Sequence, residues 1–358
     1  MPAIDETAFR NLISGHTRGC SAVVARALLR GASLAYRLAV SVRNRLYDCG
    51  LWTIHQALVP VISVGNLTTG GTGKTPVAAL LCQRLAALGG RPGLISRGYR
   101  AAADGSNDEK RVLELLVPGT PHIQKPDRLA AVRELLQLPL DQRPDVVVMD
   151  DGFQHRRLHR DLNLVLIDAT CPFGFNALLP RGLLREPATA LRRADAVLLT
   201  RANLVSPAEL MTIEQQLITC APALENRILR VRFEPRSLRD LAGKRHDPEA
   251  CREKEVFLMT AIGNPDAFRA TCLAAGLKIV GQRWFPDHHH FTAADIDGVL
   301  MEATGKNADL VVTTVKDLVK LEGCSSRILA LDIEAVLPRA EDAACLDRLL
   351  QTVMGGRR

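Results

Sequence analysis

Residues 68 to 76 read TTGGTGKTP. Closely spaced glycines let successive backbone N–H groups turn toward phosphate oxygens at the start of a helix, where the helix dipole favours negative charge. Gly70, Gly71 and Gly73 supply that freedom, Lys74 has the reach for terminal phosphates, and the Thr75 hydroxyl suits magnesium. Thr68 stands where the common spacing G-x-x-x-x-G-K-[ST] has glycine, so the segment is a variant of a P-loop. The expected nucleotide-binding set is Thr68, Thr69, Gly70, Gly71, Thr72, Gly73, Lys74 and Thr75. A structural glycine-rich turn is the plainer reading.

A phosphate loop of this kind needs an acid at the tip of a neighbouring strand to hold magnesium. VVVMDD (146–151) offers Asp150 and Asp151 after four apolar residues, and with Thr75 they form the expected metal set. A simple strand-to-turn junction is the competing explanation. The next residues, GFQHRRLHRD, crowd His155, Arg156, Arg157, His159 and Arg160 together. Such a run suits either a solvated face or an anionic acceptor, and both readings stay open. The HHH of 288–290 has no acid or cysteine at ligand spacing, so a metal site there is not expected.

These residues must be carried by an alternation of strands and helices. Apolar runs at 59–66, 91–96, 145–152, 162–169 and 195–201 alternate with helical patterns, among them TPVAALLCQRLAALG and KPDRLAAVRELLQL. Runs apolar throughout are what strands buried on both faces require. From about residue 236 a polar, charged stretch reads as a connector, and a second set of strand candidates follows at 256–262, 278–285, 309–315 and 327–334. The fold class is α/β: a P-loop NTPase-like, mainly parallel sheet flanked by helices, with a smaller C-terminal α/β domain and a basic amphipathic N-terminal helix. The expected divisions are 1–48, 49–235 and 236–358.

Charge placement says more than the net +7. Between residues 7 and 47 lie Arg10, Arg18, Arg26, Arg30, Arg37, Arg43 and Arg45, with no lysine and no acid. At about 100° per residue Arg26, Arg30 and Arg37 fall within roughly 40° of one another, a basic stripe beside an apolar face. That pattern suits an anionic membrane surface, or a helix packed on the protein's own core. Nucleic acid is not an expected partner, because interleaved aromatics are nearly absent. Nine scattered cysteines without a C-x-x-C pair argue against a disulfide framework or zinc knuckle and for a reducing compartment. No apolar run has bilayer-spanning length and no signal-peptide pattern is present.

Taken together, SVGNLTTGGTGKTP, ISRGY, DDGFQHRRLHRDLNLVLIDA, FGFNALLPRGLLREP, FPDHHHFT and VVTTVKDLVKL resemble the tetraacyldisaccharide 4'-kinases, the lipid A 4'-kinases of Gram-negative bacteria. The resemblance runs from about 58 to 334. It implies a peripheral enzyme on the cytoplasmic face of the inner membrane, transferring the ATP γ-phosphate with Mg2+ to the 4'-hydroxyl of an acylated glucosamine disaccharide 1-phosphate. It implies a membrane-docking role for the N-terminal helix and no protein partner. Family matching makes Asp108 the base, within Asn107-Asp108-Glu109-Lys110 where the family has GDEP, and pairs it with His288; with Lys74 these form the catalytic set. His155, Arg181 and Arg185 are the implied substrate contacts.

The rival class is a nucleotide switch or metallochaperone of the same P-loop branch, which would hydrolyse GTP or ATP without a sugar acceptor. TTVKD (313–317) approaches the base-reading N-K-x-D signature but lacks the asparagine.

Overall fold

The computed structural model describes residues 6–98, 108–287, 289–321 and 327–356. Two helices open the chain, α1 (Glu6–Ser14) and α2 (Cys20–Asp48). Then come β1 (Val61–Asn66), α3 (Lys74–Ala87), β2 (Pro92–Ser96), α4 (Asp108–Leu116), β3 (His122–Gln124), α5 (Arg128–Leu136), β4 (Val146–Asp150), β5 (Leu162–Asp168), β6 (Ala196–Thr200) and α6 (Pro207–Cys220). β7 (Ile228–Arg239) and β8 (Arg245–His246) lead into β9 (Glu255–Thr260), α7 (Pro265–Ala274), β10 (Lys278–Trp284), α8 (Ala293–Gly305), β11 (Leu310–Thr314), α9 (Val315–Leu318), β12 (Ile328–Val336) and α10 (Ala340–Gly355).

The strands form one sheet in the order β3-β2-β4-β1-β5-β6-β7-β12-β11-β9-β10, with β8 on the side of β7. Every pairing from β3 to β7 is parallel, as are those of β12, β11, β9 and β10. Fully buried strands explain the unbroken apolar runs: β1, β4, β5 and β6 expose no residue. Helix α3 buries Val77, Ala78, Leu81, Cys82 and Leu85 against that sheet and ends before Gly89, whose φ of 85° a side chain would oppose. Helix α5 starts where Asp127 accepts hydrogen bonds from the N–H groups of Leu129 and Ala130.

The two parallel sets meet through β7. Ile228–Val231 pair with β6 in parallel, and Arg232–Arg239 then run antiparallel to β12. The expected connector is therefore strand over its first four residues, 236–239. Its polar texture misleads because the buried Arg239 guanidinium is neutralised by the buried Asp332 carboxylate at 2.9 Å. The division after 235 falls inside this strand, and Leu346 and Leu350 of α10 pack into the core built around α3 and β1.

Helix α2 has two faces with different work. Ala22, Ser33 and Val40 are buried, and the Ser33 hydroxyl donates to the Leu178 carbonyl. Tyr36 donates to the Arg185 carbonyl, and Arg43 with Asn44 hold the buried Glu186 carboxylate. On the opposite side Val23, Val24, Leu28, Leu34, Leu38 and Val42 are 51–72% exposed. One face of the helix thus packs on the protein, as the second sequence reading expects, and the other presents an apolar stripe to solvent. No helix among the described residues is long and apolar enough to cross a membrane.

Candidate active site

The tips of β1 and β4 bring the phosphate loop and the paired acids together. Gly65, at the end of β1, lies so close to the following acid loop that a Cβ there would sit 2.5 Å from Phe153 Cβ. The Gly152 N–H donates to the Val64 carbonyl, which fixes the turn after Asp151. Asp151 itself takes a left-handed conformation, φ 51°.

Thr68 is tolerated because its backbone makes no demand for glycine. Positive φ occurs at Gly70 (111°) and Gly73 (87°), and Thr68 instead forms a bridge with Leu184 while Asn66 donates to its carbonyl. The loop's outer carbonyls are held from the end of β6: Arg201 donates to Gly71 O at 2.8 Å and Thr200 to Thr72 O at 3.1 Å. Arg201 also pairs with Asp168 and stacks over Phe233 of β7. The Phe233 ring in turn covers Gly73, where a Cβ would stand 2.1 Å from Cζ.

Lys74 Nζ lies 3.7 Å from Asp151 Oδ1, and Arg185 donates to both Asp151 oxygens at 2.9 Å. Burial opposes ionisation of Asp151, but Lys74 and Arg185 outweigh it and draw the pKa below the usual carboxylate value. Its neighbour behaves oppositely. Burial pushes Asp150 up to about 7 against the pull of Lys74, with Glu109 and Asp151 adding repulsion. A fully buried carboxylate with so little compensation, beside a second carboxylate and the Thr75 hydroxyl, is a hard-oxygen donor set that fits magnesium.

A cavity of about 400 Å³ opens over this loop. Gly70 to Pro76, Asp150, Arg185 and Arg201 line one side; Asn264, Phe268, Asp287 and Lys316 line the other. The cleft therefore lies between the two parallel sets, with Glu109 and Val112 of α4 closing one end.

The sequence-expected residues divide. The loop residues Gly70 to Thr75, Asp150 and Arg185 converge on the cavity, with Asp151 paired behind them. Asp108 opens α4, and its carboxylate faces Lys320 at 3.7 Å, while Glu109 beside it lines the cavity. Arg181 does not line the cavity: its guanidinium donates to the Ile13 carbonyl at the end of α1. His155 also stands off the cavity wall, with burial and then Arg128 lowering its pKa to about 4. Arg156 clamps the end of α2 through Asn44 O and Asp48. His288 and Asn107 lie outside the described residues. TTVKD is a helix start, with the Thr314 hydroxyl accepting from the Asp317 N–H, not a base-reading loop.

Three contributors escaped the sequence reading. Glu109 stands beside Asp108 with no role its sequence position assigns, Arg201 ends an expected strand, and Phe233 carries no local signal at all.

Against this geometry the comparisons with known proteins are decisive. The family model described as Tetraacyldisaccharide-1-P 4'-kinase matches residues 25–354. The chain belongs to this family. A tetraacyldisaccharide 4'-kinase of Anaeromyxobacter dehalogenans is 37% identical over 333 residues, covering 87% of this chain and 86% of that protein. One of Geobacter sulfurreducens is also 37% identical, over 97% of this chain and 98% of its own. Among solved structures, the "apo" form of LpxK from Aquifex aeolicus in complex with ATP superposes with a TM-score of 0.72 at 28% identity, covering 92% of this chain and 99% of that one. Family membership thus accounts for the whole architecture, including the second parallel set that a P-loop alone does not require.

Proposed function

We infer that this protein is a kinase that transfers the γ-phosphoryl group of ATP to the 4'-hydroxyl of an acylated glucosamine disaccharide 1-phosphate. The observation that carries the reading is the opposition of Lys74 and Asp150, with Asp151 paired behind Lys74, across one cleft from Asp287 and Lys316, in a chain of this family. In the transfer the acceptor oxygen forms a bond to the γ-phosphorus, the bond to the bridging oxygen breaks, and ADP departs with the electron pair. Backbone N–H groups of residues 70–75 and the Lys74 ammonium receive the phosphates. Thr75, Asp150 and Asp151 would hold Mg2+, which neutralises charge on the β- and γ-oxygens when bound. Asp108 takes the hydroxyl proton, assisted by His288, and Arg185 contacts the acceptor phosphate. Arg181 and His155 stand off the cavity wall, and their assignment to the acceptor rests on the family resemblance alone.

The N-terminal part, 1–48, docks on the anionic cytoplasmic face of the inner membrane through the outer stripe of α2, with Arg26, Arg30 and Arg37 at its edge. Residues 49–235 carry the nucleotide, and 236–358 supply the facing wall. Purified protein given ATP, magnesium and the acylated disaccharide 1-phosphate should convert lipid and ATP in equal amounts. ATP hydrolysis stimulated by the lipid without a phosphorylated lipid product would point instead to a nucleotide switch.

A further inference from the structure

Beyond Lys316, the segment VVTTVKDLVKL (311–321) builds a buried polar cluster against α4. Asp317 is fully buried, and its Oδ2 accepts from the Thr260 hydroxyl at 2.7 Å, the Ala261 N–H at 3.0 Å and the Thr314 hydroxyl at 2.8 Å. Its other oxygen receives Lys320 Nζ at 3.0 Å. The Lys320 side chain is 4% exposed, lies over the Phe291 ring, and has Asp108 Oδ2 3.7 Å away as a second carboxylate. A buried ammonium is costly unless it is paired, so its position is set by these two acids together. Around the pair, Val112 of α4 packs with Val315, Leu318 and Ala330, and Arg111 donates to the Val319 carbonyl.

We propose that Lys320 is a positioning residue for Asp108: anchored on Asp317 in the second parallel set, it fixes where the Asp108 carboxylate stands at the start of α4. The inference rests on Asp108 acting as the base. The segment serves the cleft twice, since Lys316, one helical turn earlier, pairs with Asp287 at 3.2 Å on the cavity wall. Loss of the Lys320 ammonium removes this ion pair from the Asp108 carboxylate at the start of α4 and frees it to sample rotamers away from the acceptor hydroxyl. A displacement of about 1 Å at a reacting group is enough to cost about a hundredfold in rate.

The test uses the full-length enzyme with ATP and acylated disaccharide 1-phosphate. Lys320→Gln, which keeps an N–H donor for Asp317 but no charge, should lower kcat about ten- to a hundredfold with the KM for ATP changed less than about twofold. Lys320→Arg, which keeps the charge, should recover most of that loss. In an Asp108→Ala background Lys320→Gln should cost nothing further, because the group it positions is gone. Should Lys320→Gln fail to fold, Asp108→Asn probes the pair from the other side, and an unfolding midpoint unchanged from the wild type overturns the pairing. Wild-type kcat in a folded Lys320→Gln enzyme, with Asp108→Ala inactive, overturns the positioning role alone; full activity in Asp108→Ala removes the base itself.

Discussion

Lys74 and Asp151 face each other at 3.7 Å, the phosphate-loop ammonium against the second of the paired acids. The ammonium proposed to receive phosphate thus lies beside a carboxylate proposed to help hold magnesium. Replacing Lys74 by Ala removes one preorganised charge, and phosphoryl transfer should fall by at least about a hundredfold. The thermal midpoint should stay close to the wild type, since the ammonium is not part of a core. Normal turnover would mean that the loop is not the phosphate site.

Asp108→Ala separates chemistry from binding. Loss of a positioned base costs on the order of 10² to 10⁴ in kcat. Nucleotide affinity, measured by calorimetry with a non-hydrolysable analogue, should change little because Asp108 faces Lys320 and not the phosphate loop.

Gly73 combines a φ of 87° with Phe233 pressed onto its Cα. Gly73→Ala should abolish nucleotide binding. Adding Phe233→Ala clears the collision but leaves the left-handed backbone, which costs about 1–2 kcal/mol for a non-glycine residue. The double variant should therefore regain binding only in part. Complete recovery would show that the ring alone requires the glycine.

His122 is buried, its Nε2 meeting the Ser96 hydroxyl at 2.9 Å, and burial followed by Lys110 brings its pKa down to about 4. The folded value lies below the unfolded one, so neutral His122 favours folding above pH 6.5. As pH falls through the interval from 6.5 toward about 4, the unfolded chain takes up a proton that the folded chain refuses. Each pH unit there removes up to about 1.4 kcal/mol. Urea titrations at pH 7 and pH 5 should show a larger loss for the wild type than for His122→Gln. Equal losses would place the acid sensitivity elsewhere, His155 being a second depressed histidine among the described residues.

Deleting residues 1–48 is a poor test of membrane docking, because Arg43 pairs with the fully buried Glu186 carboxylate and Asn44 donates a hydrogen bond to it. Leu34→Glu with Leu38→Glu touches only the exposed stripe. Each buried leucine is worth about 1.5–3 kcal/mol. Sedimentation with vesicles containing anionic lipid should fall at least about a hundredfold in affinity, while kcat on a short-chain, detergent-soluble acceptor stays within about twofold. Unchanged vesicle binding would leave α2 as a structural helix whose outer face meets nothing.

Local sequence was legible wherever one segment does one job. The glycines of 70–73, the acids at 150–151 and the fully apolar strands each announce a backbone conformation or a burial state by residue type alone. Local sequence says least where a distant partner changes what a residue does. Arg156 and Arg181 look like phosphate binders in sequence; in the fold their guanidiniums meet carbonyls of α2 and α1. Arg239 looks like linker because Asp332, 93 positions away, is invisible to a local reading.

By itself the sequence determined that a nucleotide loop sits on a parallel α/β sheet, since glycine spacing and hydrophobic period are properties of neighbouring residues. Tertiary structure decided which charges serve the cleft. Phe233 reaches Gly73 only because β7 passes from one parallel set to the other, and Asp108 meets Lys320 only because α4 packs on the segment after β11. Ion pairs and ring contacts depend on distance in space, and chain separation carries almost no information about that distance once a strand joins two parallel sets.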